Sequence, residues 1–511
     1  MKTQHSIIQG LFISLAAAAT LQLSSCSSHI TPFLGTAEPA LPPANSPTWS
    51  SITSLRSDDW FHLLDHGPNA VDWRLRVLDS ATTSIDLQSF LLGDDAVSKE
   101  LIRRLLLAAD RGVRVRMLMD DSFLQKKDPI VHAIDSHPNV EFRVFNPYAR
   151  RSGGSAMRIL LNLGDFSRVD HRMHNKILVV DNRAAIVGGR NLADEYYGHD
   201  SKMNFRDLEV LSGGPHIRVL SKAFDRYWND HWSIPAENLP GSGQSKLKLS
   251  SYQESLKPLP STLKQEAEVD CHTAWMKAAK SAVGGYPTLL VDRPPHKNPN
   301  KASEAPVQVA RDLRKLVDNA NSEIILISAY LIPTPQLEAA IQRAENRGVQ
   351  VRILTNSLRS NNHTAAHAAY RRHLKQLINH GADLHELRSD GKDRSRHMRG
   401  MAGDRSLALH AKALIIDDDK VFIGSCNLDA RSLRINTEMG LIIESSEFNH
   451  QLREAMKLDF HRRNAWHVQK QADGSLLWVG DDQSLKSQPA GSRMQRIEDW
   501  ILSLLPIEAE M

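Results

Sequence analysis

Cysteine is scarce: three residues in 511, at positions 26, 271 and 426. That excludes a disulfide-framed scaffold, and no Cys or His cluster has the spacing of a zinc site. Cys271 and Cys426 stand in opposite halves of the chain. An oxidising compartment permits a bond between them but nothing in the sequence requires one, and Cys426 reads as a small packed side chain. Charge of one sign is also missing. The net charge is only +4, and no block of like charges forms a basic tail, so non-specific nucleic-acid binding is not advertised, although a local basic groove stays open. No carboxylate set resembles a magnesium site. Beyond residue 23 no apolar run is long enough to span a bilayer.

One apolar run does exist, at the start. Lys2 supplies a short positive region, Ile7 to Leu23 are rich in Leu and Ala, and Leu23-Ser24-Ser25-Cys26 follows, then Ser27-Ser28. This has the form of a secretion signal, and its end resembles a bacterial lipobox. The resemblance implies removal of residues 1–25, acylation of Cys26, and a bacterial cell-envelope lipoprotein on the periplasmic side. Ser27 after the Cys points to the outer membrane.

At 511 residues two domains are expected. Thr31 to Ser50, rich in Pro, Ser and Ala, reads as part of a flexible tether over 26–55. A second shift in composition over 236–305 holds Gly-Ser-Gly at 241–243 and prolines at 258, 260, 294, 295 and 299, with a short helix expected within Glu266–Ala282. This region reads as the connection between domains 56–235 and 306–511. The two domains are copies. Gly112-Val113-Arg114-Val115-Arg116-Met117-Leu118 returns as Gly348-Val349-Gln350-Val351-Arg352-Ile353-Leu354. The same offset (410 − 174 = 236) relates His174 to His410, Lys176 to Lys412, Asp181 to Asp417, Gly188 to Gly424 and Asn191 to Asn427. A shared offset marks a duplication.

Each copy has α/β patterning. Ser84–Leu92 reads as a strand, Asp94 and Asp95 as N-caps of a helix with apolar Val97, Leu101, Leu105 and Ala108, and Gly112 as its end before a buried strand. Glu323–Tyr330, Gln336–Asn346 and Val349–Leu354 repeat this order. Strand, helix, strand with short joins implies parallel pairing, and Asp181-Asn182 reads as a hairpin tip between Lys176–Val180 and Ala184–Val187. The fold class expected is therefore α/β, with a mixed sheet flanked by helices in each copy.

The chemistry lies in His174-x-Lys176 and His410-x-Lys412. In an extended chain, residues two apart share a face, so an imidazole stands beside an ammonium. That pair suits a phosphate: Lys neutralises its oxygens while His attacks phosphorus or moves a proton. Asp181 and Asp417, at the far ends of these strands, are expected to fix the turn and a local ion pair. Gly188-Gly189-Arg190-Asn191 and Gly424-Ser425-Cys426-Asn427 follow, and tight bends there would return Asn191, Asn427 and Ser425 to the phosphate. One such motif among 23 histidines would be weak; two, each with its Gly-x-x-Asn, are specific. Among the other histidines, His171 reads as a rim residue, and His363 and His367 as lining the substrate entrance.

These residues resemble the phospholipase D superfamily with two His-x-Lys-(x)4-Asp motifs, and within it the bacterial cardiolipin synthase branch. The likeness extends through Asn427-Leu428-Asp429-Ala430-Arg431-Ser432, Asn436-Thr437-Glu438, Phe205-Arg206-Asp207 and Thr355-Asn356-Ser357-Leu358. It implies two phospholipase D-like domains packed with pseudo-two-fold symmetry around one active site, and a catalytic set of His174, Lys176, Asp181, His410, Lys412 and Asp417. It implies a metal-independent two-step displacement with no cofactor. By analogy His174 is the nucleophile that forms a phosphohistidine, and His410 is the acid and base. Asp207 and Glu438 are candidates for orienting the imidazoles. The implied substrates are phospholipids at a membrane surface, with no nucleic acid and no obligate protein partner. The implied activity is phosphatidyl transfer; hydrolysis to phosphatidic acid, a metal-independent nuclease and a non-catalytic lipid-binding relic are the alternatives.

Overall fold

The computed structural model describes residues 30–151, 155–240, 246–256, 270–295 and 305–505. The leader and Cys26 lie outside the described residues. The strands, in chain order, begin with β1 (Trp60–Leu64), β2 (Ser84–Ser89), β3 (Arg114–Asp120), β4 (Val140–Phe145), β5 (Ile177–Val180) and β6 (Ala184–Gly188). They continue as β7 (Met203–Arg206), β8 (Glu209–Gly213), β9 (Ser233–Pro235) and β10 (Val283–Gly284). The second half holds β11 (Tyr286–Val291), β12 (Glu323–Ser328), β13 (Gln350–Asn356), β14 (Asp383–Leu387), β15 (Ser406–Leu409), β16 (Lys412–Ile416), β17 (Lys420–Gly424), β18 (Met439–Glu444), β19 (Ala465–Lys470), β20 (Leu476–Val479) and β21 (Ser484–Leu485).

Two large sheets result, and their order shows the duplication. The first runs β10-β1-β8-β6-β5-β2-β3-β4-β9 and the second β11-β18-β17-β16-β12-β13-β14-β19-β20-β21. In each, three central strands are parallel and the flanking ones antiparallel. The parallel strands are almost wholly buried because both faces are covered, and the charged residues within them are paired, as Arg116 is with Asp86 at 2.7 Å. The helices form where expected. Asp95 caps Ala96–Asp110 by accepting from the Ser98 amide at 2.9 Å, and Thr334 caps Pro335–Asn346. Gly112 and Gly348 follow these helices with φ of +91° and +85°, conformations that favour a residue without Cβ. One apolar core runs from Trp60, Val115 and Ile186 of the first half to Ile325, Ile415 and Phe448 of the second, so the halves are fused along a common face.

Two linking segments differ from the expectation. Residues 30–46 are not a loose tether. Phe33 donates its amide to the His231 carbonyl, Ala40 to Asp225 and Ala44 to the Asp181 carbonyl, while the Glu38 carboxylate meets Arg143 at 2.6 Å. Helix Pro47–Leu55 then buries Trp49. Polar anchors, which composition does not display, hold a Pro-rich strap. The connection between domains is likewise structural: helix Cys271–Ser281 seats Trp275 among Trp49, Trp60 and Trp73, at centroid distances of 5.1, 6.4 and 5.3 Å. β10 then closes the first sheet and β11 edges the second. Cys271 and Cys426 are both free.

Candidate active site

The site forms where the halves exchange short strands. β7 pairs in parallel with β15, and the symmetry-related contact joins Met173 to Thr437. The His410 amide donates to the Arg206 carbonyl at 2.8 Å, and the His174 amide donates to the Thr437 carbonyl at 2.9 Å. Each histidine therefore sits just before its strand, in an extended joint pinned by the opposite half. Asp120 and Asn356, related by the same offset as the histidines, brace these joints. Asp120 accepts from the Met173 amide at 2.9 Å, and the Asn356 carbonyl oxygen accepts from the Leu409 amide at 2.8 Å.

The pinning has a chemical result: the carboxylates serve the imidazoles crosswise. Asp207, from the first half, accepts from Nδ1 of His410 at 2.6 Å. Glu438, from the second half, lies with both carboxylate oxygens 3.0 Å from Nδ1 of His174. All four groups are buried. With Nδ1 engaged, Nε2 of each ring carries the reactive lone pair or proton. Phe90 stands edge-on to His174 at 4.9 Å, and Tyr196 does the same to His410 at 4.9 Å, so both rings are clamped by packing.

The lysines supply the charge. Lys176 donates to the His174 carbonyl at 2.7 Å, and Lys412 donates to the His410 carbonyl. Burial lowers Lys176 to about 7 and Lys412 to about 8, and Lys176 is depressed further by Lys412. Burial and the two ammoniums push His174 well below the ordinary imidazole value and bring His410 to about 3. Each imidazole is lowered by the other half's lysine as well as by its own. Asp207 is held below the usual carboxylate range by His410 and Lys412 against its burial, whereas burial lifts Glu438 to about 8. A site with this much buried positive character is built for an anion, whose arrival raises both imidazoles and both ammoniums.

The remaining candidates fall into place unevenly. Asp181 is a correction. Its carboxylate accepts from the amides of Thr82, Thr83 and Ser84, and from Trp49 Nε1 at 2.7 Å. Asp417 repeats this with Asn321, Ser322 and Glu323. Both adopt positive φ, 55° and 47°, at a tight turn. Strand β5 or β16 separates each from the imidazoles, and their lone pairs are consumed by backbone N–H groups. They fix the turn as expected, and among the described residues neither carboxylate bonds an imidazole or forms the expected ion pair. Ser425 is a second correction: its hydroxyl donates to Glu438 rather than facing a phosphate. The equivalent Gly189 explains the difference. A Cβ there would lie 2.2 Å from Asp207 Oδ1, so only glycine leaves room for that carboxylate. Asn191 donates to the Tyr196 hydroxyl at 2.8 Å, while the buried Oδ1 atoms of Asn191 and Asn427 lack partners among the described residues.

His367 is a third correction. It is buried and its Nδ1 bonds Asp499 at 2.7 Å, so it ties down the C-terminal helix instead of lining an entrance. His171 joins the halves through the Ile435 carbonyl at 2.7 Å. The sequence reading missed Asp292, whose carboxylate accepts from the Glu438 and Val309 amides at 3.0 Å each. It also missed that Asp383, His385 and His467 converge on one sheet face, with ligand-type atoms within 4.8 Å; there Asp383 accepts from both rings at 3.0 Å. In each case the deciding partner is remote, Glu438 for Asp292 and His467 of β19 for the Asp383-x-His385 pair of β14, so spacing alone does not find the full set.

Residues 75–228 and 313–460 match the family described as cardiolipin synthase, PLD-like domain. The chain belongs to this family. Its relatives include cardiolipin synthase C of Escherichia coli (strain K12), 33% identical over 464 residues, which are 87% of this chain and 94% of that protein. An uncharacterized protein of Helicobacter pylori is 31% identical over 411 residues, 80% of each chain. The crystal structure of phosphatidylserine synthase from Haemophilus influenzae Rd KW20 superposes with a TM-score of 0.57 over 91% of this chain and 100% of that one; at 12% identity this likeness concerns the fold. As expected of a PLD-like protein with two motifs, the fold is α/β and the duplicated domains meet at one site.

Proposed function

We propose that this protein is a phosphatidyltransferase of cardiolipin synthase type that works on phospholipids at a bilayer surface. The observation that carries the reading is the crosswise pairing of Asp207 with His410 and Glu438 with His174, which leaves two reactive Nε2 atoms and two buried ammoniums for one phosphodiester.

The asymmetry of the carboxylates supports the roles that the family resemblance implies. Asp207 is held ionised and best sustains an imidazolium, so His410 is the acid and base. Glu438 is lifted by burial and supports positive charge less, so His174 stays neutral and attacks. In the first step His174 Nε2 bonds to phosphorus, the bond to the departing alcohol breaks, and His410 delivers its proton to that alcohol. In the second, an acceptor hydroxyl gives its proton to His410 and attacks phosphorus, the P–N bond breaks, and His174 is regenerated. Lys176 and Lys412 hold the non-bridging oxygens throughout. Phosphatidylglycerol serves as both donor and acceptor in this scheme, yielding cardiolipin and glycerol; phosphatidylethanolamine is a further candidate lipid.

Support for the surface location comes from the leader, whose lipobox-like end favours Cys26 as an acylated anchor. No helix among the described residues is long and apolar enough to cross a membrane. Incubation with phosphatidylglycerol, with and without added glycerol, tests the activity by lipid chromatography. Cardiolipin is expected, with glycerol driving the reverse exchange; phosphatidic acid alone would show that water discharges the intermediate. Palmitate labelling that vanishes in Cys26→Ala tests the anchor.

A further inference from the structure

The C-terminal helix Arg493–Leu502 is amphipathic the wrong way round. Its polar side faces the protein. Asp499 is buried and bonds His367 Nδ1 at 2.7 Å and Arg371 at 3.0 Å, and Gln495 donates to the Leu358 carbonyl at 2.8 Å. Its apolar side faces outward: Met494 is 70% exposed, Trp500 54%, Ile497 and Ile501 50% each, and Leu504 just beyond is 64% exposed. At about 100° per residue these side chains fall within one sector of about 120°, shared only with exposed Arg493 at the helix start. A soluble surface rarely leaves such a stripe open.

The foot of this helix supplies a complementary feature. A cavity of about 450 Å³ lies between it, the segment after Tyr370 and the β20–β21 hairpin. Five cations line it, Arg371, Arg372, Lys375, Lys486 and Arg496, against one carboxylate, Asp499, which is already committed to His367 and Arg371. Trp500 stands at its edge, where an aromatic ring suits the boundary between headgroups and chains.

The location connects helix to active site. Arg359 donates to the Pro489 carbonyl at 2.9 Å, and Leu358, which receives Gln495, is two residues beyond Asn356, the brace of the His410 joint. The first half carries an exposed apolar patch of its own. Beyond Asp120, Arg158 is buried against Asp121 and leaves Met157, Ile159 and Leu160 about half exposed, near exposed Phe123, which packs edge-on to Phe90 beside His174. Exposed apolar side chains therefore accompany the loops that follow both brace residues, Asp120 and Asn356.

We infer that helix Arg493–Leu502 and the basic cavity at its foot form an interfacial anchor for an anionic phospholipid bilayer, the apolar stripe entering the acyl layer and the cations meeting lipid phosphates. The anchor presents the site mouth to the lipid plane, so substrate slides in without crossing water. This rests on the reading that phospholipid is the substrate, and the test separates the two.

The full chain carrying Cys26→Ala, which removes any acyl contribution, is floated with vesicles of phosphatidylcholine alone or with added phosphatidylglycerol. Binding is expected only with the anionic lipid, and inorganic phosphate at millimolar concentration should not compete. Ile497→Gln/Trp500→Gln/Ile501→Gln should weaken binding at least tenfold. Lys375→Gln/Lys486→Gln/Arg496→Gln should weaken it about fivefold per cation and erase the preference for phosphatidylglycerol. Both variants should keep wild-type thermal midpoints and wild-type turnover of detergent-dispersed lipid. Vesicle binding unchanged in both, displacement by phosphate alone, or a lipid-free dimer that the apolar substitutions dissolve while vesicle binding persists would each overturn the anchor. Lipid-dependent binding in a protein that turns over no phospholipid would instead overturn the proposed activity and leave the anchor standing.

Discussion

Replacing Asp207 by Asn keeps the shape and an acceptor for His410 Nδ1–H but removes the charge. At a contact of 2.6 Å the charge centres lie about 4 Å apart, worth about 4 kcal/mol at an effective dielectric near 20. A neutral hydrogen bond retains about 1 kcal/mol. The net loss of about 3 kcal/mol predicts roughly a hundredfold drop in steady-state turnover. The step that slows distinguishes the two histidines. With a phospholipid analogue whose headgroup is p-nitrophenol, the leaving group departs without a proton, so intermediate formation no longer needs His410 as acid. Stopped flow of Asp207→Asn should then show a fast burst of about one equivalent of p-nitrophenolate followed by slow turnover, because His410 is a poor base for the acceptor. Glu438→Gln acts on the nucleophile and should slow the burst itself, without accumulation. A burst in Glu438→Gln but not in Asp207→Asn would reverse the roles, and changes below about threefold in both would refute the crosswise pairing as a catalytic device.

Three further outcomes follow from the same geometry. Asp181→Ala strips partners from three amides and the Trp49 indole, so it should cost about 3 kcal/mol or more in denaturant unfolding while the folded fraction keeps its turnover number. Gly189→Ala places a methyl against the Asp207 carboxylate and should lower turnover at least tenfold with near-normal circular dichroism. Glu386 is buried, bonded to Tyr370 and Trp478, and lifted by burial to about 8, above its unfolded value of 4.5. The folded carboxyl stays protonated where the unfolded one ionises, so its contribution is full below pH 4.5 and is lost as pH rises through about 8. Denaturant titrations at pH 5 and 8 should show the wild type losing a few kcal/mol more than Glu386→Gln over that interval.

How much of this was legible beforehand depended on whether a residue shared the common offset. His174 and His410, Lys176 and Lys412, and the helix–strand units all repeat at that one offset, so duplication, sheet class and the motif face followed from a single comparison. Asp207 and Glu438 do not share it, and nothing local says that each would serve the opposite half's histidine. That result comes from the exchange of β7 with β15 and of Met173 with Thr437, contacts between segments from opposite halves of the chain. The strap over residues 30–46 was hidden for a related reason: its partners, Asp225, His231 and Arg143, are remote polar groups, and composition reports only the strap's own run of prolines. Ser425 and His367 carried the right chemistry for the site, but tertiary contacts spend that chemistry on Glu438 and Asp499.

The central claim is one phosphate held between two histidines with unequal roles. Its most direct test is to quench the enzyme in alkali, which preserves phosphohistidine, during turnover of phosphatidylglycerol labelled in the phosphate, and to map the labelled peptide. Label is expected on His174 and absent from His174→Ala, and it should accumulate in His410→Ala only when the labelled lipid carries the p-nitrophenol headgroup, which departs without a proton. Label on His410, or equal labelling of both histidines, would contradict the account.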